Sequence, residues 1–172
     1  LVLLRETNPG VEVLLTQRHT ANKFAGGDFV FPGGKIEVDD NPDDAIAWCT
    51  GLDPARAAAR IGKPDTRTAI GYWVGAIREC FEEAGVLLAR DAQGAPISPE
   101  RAASLMHWRK KPFREMLEAE ELYLPAGELA YYGHWITAPG RSRRFDARFF
   151  VALAPEGQQG KHDAAETVHD VW

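Results

Sequence analysis

Residues 77–86, Ile77-Arg78-Glu79-Cys80-Phe81-Glu82-Glu83-Ala84-Gly85-Val86, constrain the fold more than any other stretch of the chain. At ~100° per residue, a helix gathers Glu79, Glu82 and Glu83 into roughly 100° of arc. Ile77, Cys80, Phe81 and Ala84 then fall on the opposite side, so one face can be buried while the other presents carboxylates. Like charges at these spacings destabilise an isolated helix by about 0.2–0.5 kcal/mol per pair. A hard divalent cation relieves that repulsion, because Mg²⁺ takes oxygen ligands. A solvated acidic face is the plainer reading, and the helix alone does not choose between the two.

What precedes this helix narrows the choice. Phe29-Val30-Phe31 reads as a strand that runs into Pro32-Gly33-Gly34, where the chain must bend and the backbone can approach a phosphate or another element closely. Further acids follow at Glu37, Asp39 and Asp40. Upstream, residues 1–5 and 11–17 are β-favouring runs separated by the turn signal Asn8-Pro9-Gly10. Residues 41–66 read as short helical pieces broken at Gly51, Gly62 and Pro64, with Asp53-Pro54 as a helix start. The helix over 68–84 stops at Gly85. Ser98-Pro99-Glu100 caps another helix, and Pro112 opens one reaching about residue 121. Strands return at 129–137, 145–153 and 167–172.

The 172 residues suit one domain, read as a single unit over 1–172 with a core that needs no disulfide or structural metal. A formal charge of −5 gives no reason to expect nucleic-acid binding. Cys49 and Cys80 are the two cysteines, which suits a reducing, cytoplasmic setting, with organelle targeting left open. Residues 69–77 are too short an uncharged stretch to span a bilayer, and residues 1–4 lack the flanks of a secretory signal, so no membrane association is expected.

The sequence resembles the Nudix hydrolases. Their signature is Gly, five residues, Glu, seven residues, then Arg-Glu-apolar-any-Glu-Glu-any-Gly-apolar. Gly34 matches the first glycine, and Arg78 through Val86 match the whole second half. Two departures stand out. Asp40 replaces the glutamate of the first half, and the arginine stands 30 residues later than the signature places it. A box interrupted in this way is similar to the branch that holds the coenzyme A diphosphatases of peroxisomes and mitochondria and their bacterial relatives. Leu14-Leu15-Thr16-Gln17-Arg18 and Arg144-Phe145-Asp146-Ala147-Arg148-Phe149-Phe150 are similar to that branch as well.

The resemblance implies an α+β fold: an α/β/α sandwich around a mixed sheet, with helical insertions. It implies hydrolysis of a nucleoside-diphosphate derivative with Mg²⁺ or Mn²⁺, coenzyme A or an acyl derivative being the leading substrate. NADH, a nucleotide sugar, a nucleoside triphosphate, or a ligand-binding module without turnover are the alternatives. Glu82 and Glu83 match the core metal ligands, Glu79 a ligand or base position, and Arg78 the residue that orients a glutamate. Gly33 and Gly34 are the substrate-approach glycines, and a homodimer is an assembly the sequence leaves open.

A later acid often completes such a site, and Glu166 is favoured over Asp163 and Glu156 because it precedes the last strand. Arg144, Asp146 and Arg148 alternate on one expected strand, so Arg144 and Arg148 are substrate-phosphate candidates. Arg109, Lys110, Lys111 and Arg114 could meet an extra phosphate, although a solvated helix surface is the better default for them. Trp108, Tyr132 and Trp135 could stack on a base, although buried aromatics are more frequent. His162 and His169 read as ordinary polar residues and Cys80 as core. The insertion, about 41–72, is expected to pack as short helices through Ala45, Ile46, Trp48, Leu52 and Ile61.

Overall fold

The computed structural model describes residues 1–21, 26–41, 45–63, 65–140 and 143–172. Among the described residues, two sheets carry the strands. The first is mixed, in the order β2(Val11–Val13), β1(Val2–Glu6), β6(Asp146–Leu153), β5(Ala130–Ile136). Its β1 and β6 run parallel, while the outer pairs are antiparallel. The second is antiparallel, in the order β4(Phe29–Val30), β3(Leu15–Arg18), β7(Thr167–Val171).

The single strand expected over 11–17 is therefore two. The chain leaves the first sheet at Leu14, whose side chain is fully buried and whose N–H still donates to the Leu3 carbonyl (3.0 Å). A run of β-favouring residues carries no mark of which sheet each half will join, so the break was invisible in composition.

Helix α4(Gly71–Ala84) is the element around which the rest packs. Its apolar side is Trp73, Val74, Ile77, Cys80, Phe81 and Ala84, all buried. Trp73 meets Phe150 of β6 with ring centroids 4.8 Å apart, and the Phe81 ring lies 6.3 Å from Phe113. Phe113 belongs to α6(Phe113–Ala119), which with α5(Pro99–Ser104) forms a further helical layer through Leu105, Met116 and Leu117. Gly85 closes α4 in the left-handed conformation (φ 68°), its N–H donating to the Phe81 carbonyl. The helix expected over 68–84 is divided: α3(Thr66–Ala69) ends at Ile70, and α4 begins at Gly71.

The described part of the insertion packs as short helices. It contains α1(Ala45–Trp48), α2(Pro54–Ile61) and α3, with Leu52 and Ile61 buried and Trp48 half-buried. Asp53 caps α2 by accepting from the Arg56 N–H (2.8 Å), with Pro54 in the first turn and Gly62 as the left-handed stop. The side chains of Ala45 and Ile46, two of the expected anchors, lie outside the described residues, as does Pro64. Main-chain bonds stitch the insertion to the segment before β5: Leu124 N–H to the Trp48 carbonyl (2.6 Å), Thr50 N–H to Leu124 (2.8 Å) and Gly127 N–H to Thr50 (2.9 Å). No helix among the described residues is long and apolar enough to cross a membrane.

Candidate active site

Folding brings the two halves of the interrupted box together. The Gly33 N–H donates to Glu83 Oε2 (2.8 Å), so the glycine loop touches the acidic helix directly. Gly34 leaves room for the Glu79 carboxylate beside the loop. A Cβ at this position would stand 2.5 Å from Glu79 Oε1, closer than side-chain atoms pack.

Arg78 is the hub. Only 4 % exposed, it donates from Nε to Asp40 Oδ1 (2.9 Å), from Nη2 to Asp40 Oδ2 (3.0 Å) and to the Lys35 carbonyl (2.8 Å). Its Nη1 reaches Glu82 Oε2 (2.9 Å) and Glu79 Oε1 (3.0 Å). The shorter Asp40 fills its place in the box because it rides on the 3₁₀ turn Val38–Asp40. There its Oδ2 also accepts from the Glu37 N–H (2.8 Å), and the side chain is 2 % exposed. The planar guanidinium suits this work, since it presents a fork to one carboxylate and further donors to others.

The three glutamates differ in environment. Burial pushes Glu79 up to about 7. The Arg78 cation opposes this, but it is shared with Asp40 and Glu82 while Glu83 and Glu82 add repulsion. Burial raises Glu82 as well, against the pull of Arg78, and raises Glu83 against the hydrogen bond from Gly33. Arg18 of β3 also eases the Glu83 charge. All three face a cleft of about 710 Å³ whose other walls are Met106, His107, Arg109, Lys110 and the segment 161–166.

Glu166 lines this cleft, and its charge raises Glu83. Asp163 is used differently: its Oδ1 accepts from the N–H groups of Ala165 (3.0 Å), Glu166 (2.9 Å) and Thr167 (2.9 Å), shaping the turn that carries Glu166. Glu156 is exposed on the loop after β6. Among the described residues, no group of three or more His, Cys, Asp or Glu side chains closes around one point as a metal shell. Glu79 and Glu82 turn toward Arg78, and Glu83 toward Gly33. The donor set nonetheless fits a hard cation: carboxylate oxygens from one helix face, negative charge that burial leaves short of compensation, and room in front of them.

The other expectations divide. Strand β6 begins at Asp146, so Arg144 is in the preceding loop, where its Nε donates to the Thr137 carbonyl (3.0 Å). Arg148 is on the strand, but it donates to Asp146 Oδ1 (3.0 Å) and stacks over Tyr72 (4.5 Å) near the start of α4. Neither lines the cleft of the glutamates. Tyr132 and Trp135 stack on each other at the surface (5.7 Å), and Trp108 donates to Glu120 (3.2 Å). His162 pairs with Asp170 (3.2 Å), and His169 meets the Phe29 ring. Cys80 is fully buried, its thiol pushed up to about 12.

Arg109 is the residue that sequence reasoning undervalued. It is half-buried, and it donates from Nε (2.8 Å) and Nη2 to the Glu82 carbonyl and from Nη1 to the Lys161 carbonyl (2.7 Å). Thr167, also unforeseen, donates from Oγ1 to the Glu83 carbonyl (3.1 Å). A basic run is usually a solvated face, and nothing in the local pattern marked its first member as a partner of main-chain atoms 27 residues away.

No protein-family profile matches the chain. It is 28% identical over 202 residues to the acyl-coenzyme A diphosphatase NUDT19 of Homo sapiens, covering 95% of this chain and 53% of that protein. It is 27% identical to the acyl-coenzyme A diphosphatase NUDT19 of Xenopus laevis, covering 94% of this chain and 52% of that one. The chain thus spans about half the length of the curated relatives it matches. The crystal structure of a NUDIX hydrolase from Alicyclobacillus acidocaldarius superposes with a TM-score of 0.74 at 28% identity, covering 99% of this chain and 75% of that one. With its reunited box and its fold, the chain is similar to the Nudix hydrolases, and among them to the acyl-coenzyme A diphosphatases.

Proposed function

We propose that the chain is a divalent-metal-dependent hydrolase that cleaves the diphosphate bond of a nucleoside-diphosphate derivative, with coenzyme A or an acyl derivative as its substrate. The observation that carries this reading is the Arg78 hub. It sets Glu79 and Glu82 beside the glycine loop that meets Glu83, all on one open cleft. Glu82, Glu83 and Glu166 would hold the cation, with Glu79 as a further ligand or as the base. Mg²⁺ or Mn²⁺ bound there would neutralise the diphosphate and make water a better nucleophile.

The chain's own groups supply the rest. Glu79, on the cleft beside the other two glutamates, is placed to take a proton on its carboxylate from the attacking water. Arg78 fixes the orientation of that carboxylate through Oε1 and stays charged while doing so. Gly34, lacking a side chain, leaves the loop close to Glu79. The substrate assignment draws on the likeness to the two acyl-coenzyme A diphosphatases.

The test is an assay with Mg²⁺ or Mn²⁺ over coenzyme A, acyl-coenzyme A, NADH, a nucleotide sugar and a nucleoside triphosphate, with products identified by mass. Release of 4′-phosphopantetheine and 3′,5′-ADP from coenzyme A supports the full proposal. Preference for another member of the panel overturns the substrate and keeps the chemistry. No metal-dependent turnover of any member overturns the chemistry.

A further inference from the structure

The last turn of α4 bears Glu82 and Glu83, and the final carbonyls of a helix have no partner within it. Here each is met from outside. Arg109 donates twice to the Glu82 carbonyl, Thr167 Oγ1 donates to Glu83, and the Lys161 N–H donates to Ala84 (2.7 Å). The same Arg109 guanidinium holds the Lys161 carbonyl, so one planar group spans from the helix to the segment that carries Asp163 and Glu166. Arg109, Lys161, Glu166, Glu82 and Glu83 all line the one cleft.

A cation at a helix C-terminus is favourable in itself. A cap needs one contact, however, and this fork makes contacts to two chain segments that both bear candidate donors. We propose that Arg109 is a positioning residue for the cation site. It keeps the carboxylate turn of α4 and the 161–166 segment in the register that holds Glu166 toward Glu82 and Glu83. The inference rests on the reading of those acids as cation ligands. Lysine is not an equivalent, because one ammonium does not reproduce the rigid fork.

Mn²⁺ binding, followed by loss of the free-ion electron paramagnetic resonance signal, tests this in wild type, Arg109→Ala and Arg109→Lys. Melting temperatures with EDTA and with Mn²⁺ accompany it. Arg109→Ala is expected to weaken Mn²⁺ binding about tenfold or more, as loss of partners behind metal ligands does. Added methylguanidinium is expected to restore part of the affinity in that variant and to leave wild type unchanged. The melting-temperature gain on adding Mn²⁺ shrinks accordingly.

Wild-type Mn²⁺ affinity in folded Arg109→Ala overturns the proposal, as does an equal loss of melting temperature with and without Mn²⁺. Should the alanine variant not fold, Arg109→Lys decides: weakened Mn²⁺ binding supports the proposal and wild-type binding overturns it. A wild-type protein that binds no Mn²⁺ overturns the cation site itself, which separates that failure from a failure of Arg109 alone.

Discussion

Toward the glycine loop, Arg78 gathers the side-chain carboxylates of Asp40, Glu79 and Glu82; toward the 106–110 segment, Arg109 gathers the main-chain carbonyls of Glu82 and Lys161. Both guanidiniums serve the same few residues of α4, but they act on different chemistry. The first is coupled to the charge of the acids and depends on their identity. The second is indifferent to side-chain identity at Glu82 and depends on where the backbone runs. One arginine therefore sets the electrostatics of the acids, and the other sets the place of the turn that bears them.

The largest expected effect comes from the acids that both arginines serve. Glu82→Gln with Glu83→Gln should lower metal-dependent hydrolysis by a factor on the order of 10³, the equivalent of several kcal/mol of lost charge stabilisation. The apo fold should remain, because glutamine oxygens can still accept from Arg78 and Gly33. Wild type at a Mg²⁺ concentration 100 times the dissociation constant should gain ~2.7 kcal/mol of stability, and the double variant should gain far less. Full turnover in the double variant would falsify the assignment.

Arg78→Met comes next. It leaves the Asp40 carboxylate buried without its cation, which costs about 3–5 kcal/mol of stability, measurable by urea unfolding with EDTA present. A loss below about 1 kcal/mol, as an exposed pair would give, would erase the distinction between the two arginines.

A pH series sharpens the electrostatic half of the comparison. Glu79 is raised from 4.5 to about 7 in the folded protein, so the folded state holds a proton that the unfolded chain releases between those values. Its contribution is fully present below pH 4.5 and is lost as pH rises through 7. Without metal, stability should therefore fall across that window, by up to about 3 kcal/mol from this group. Saturating Mg²⁺ should flatten the fall. A stability that rises steadily from pH 5 to pH 8 without metal would contradict it.

The smallest effect falls on the main-chain side. Thr167→Val removes the hydroxyl that meets the Glu83 carbonyl and Asp163 Oδ1, and should cost about 1–2 kcal/mol, nearly independent of pH between 5 and 8. A strong pH dependence of that loss would mean that Thr167 acts through the acids instead.

The two clamps also differ in how they could be read. Arg78, its glutamates and the glycine pair carry a fixed spacing, and each contact joins side chains or a glycine whose role follows from type. Asp53-Pro54 and Gly85 were legible for the same reason: capping chemistry is local. Arg109 and Thr167 act on carbonyls, which every residue has, so no residue type at Glu82 or Glu83 announces the partner. The division of 11–17 into two strands and the loop placement of Arg144 escaped for a related reason. Both depend on which distant backbone lies alongside.

The interrupted box has a consequence for how such a chain can change. The Arg78 clamp on Asp40 closes a loop of 38 residues, where the uninterrupted signature would close one of about eight. Loop-closure entropy grows only with the logarithm of length, so that difference amounts to ~1.4 kcal/mol. Burying Leu52 and Ile61 and pairing the insertion with residues 124–127 can offset a penalty of that size. The gap between the clamp's two ends is thus a tolerant seam. It is a point where a lineage, or an engineer, can lengthen the polypeptide beside the chemistry while the arginine and its aspartate still close the ring.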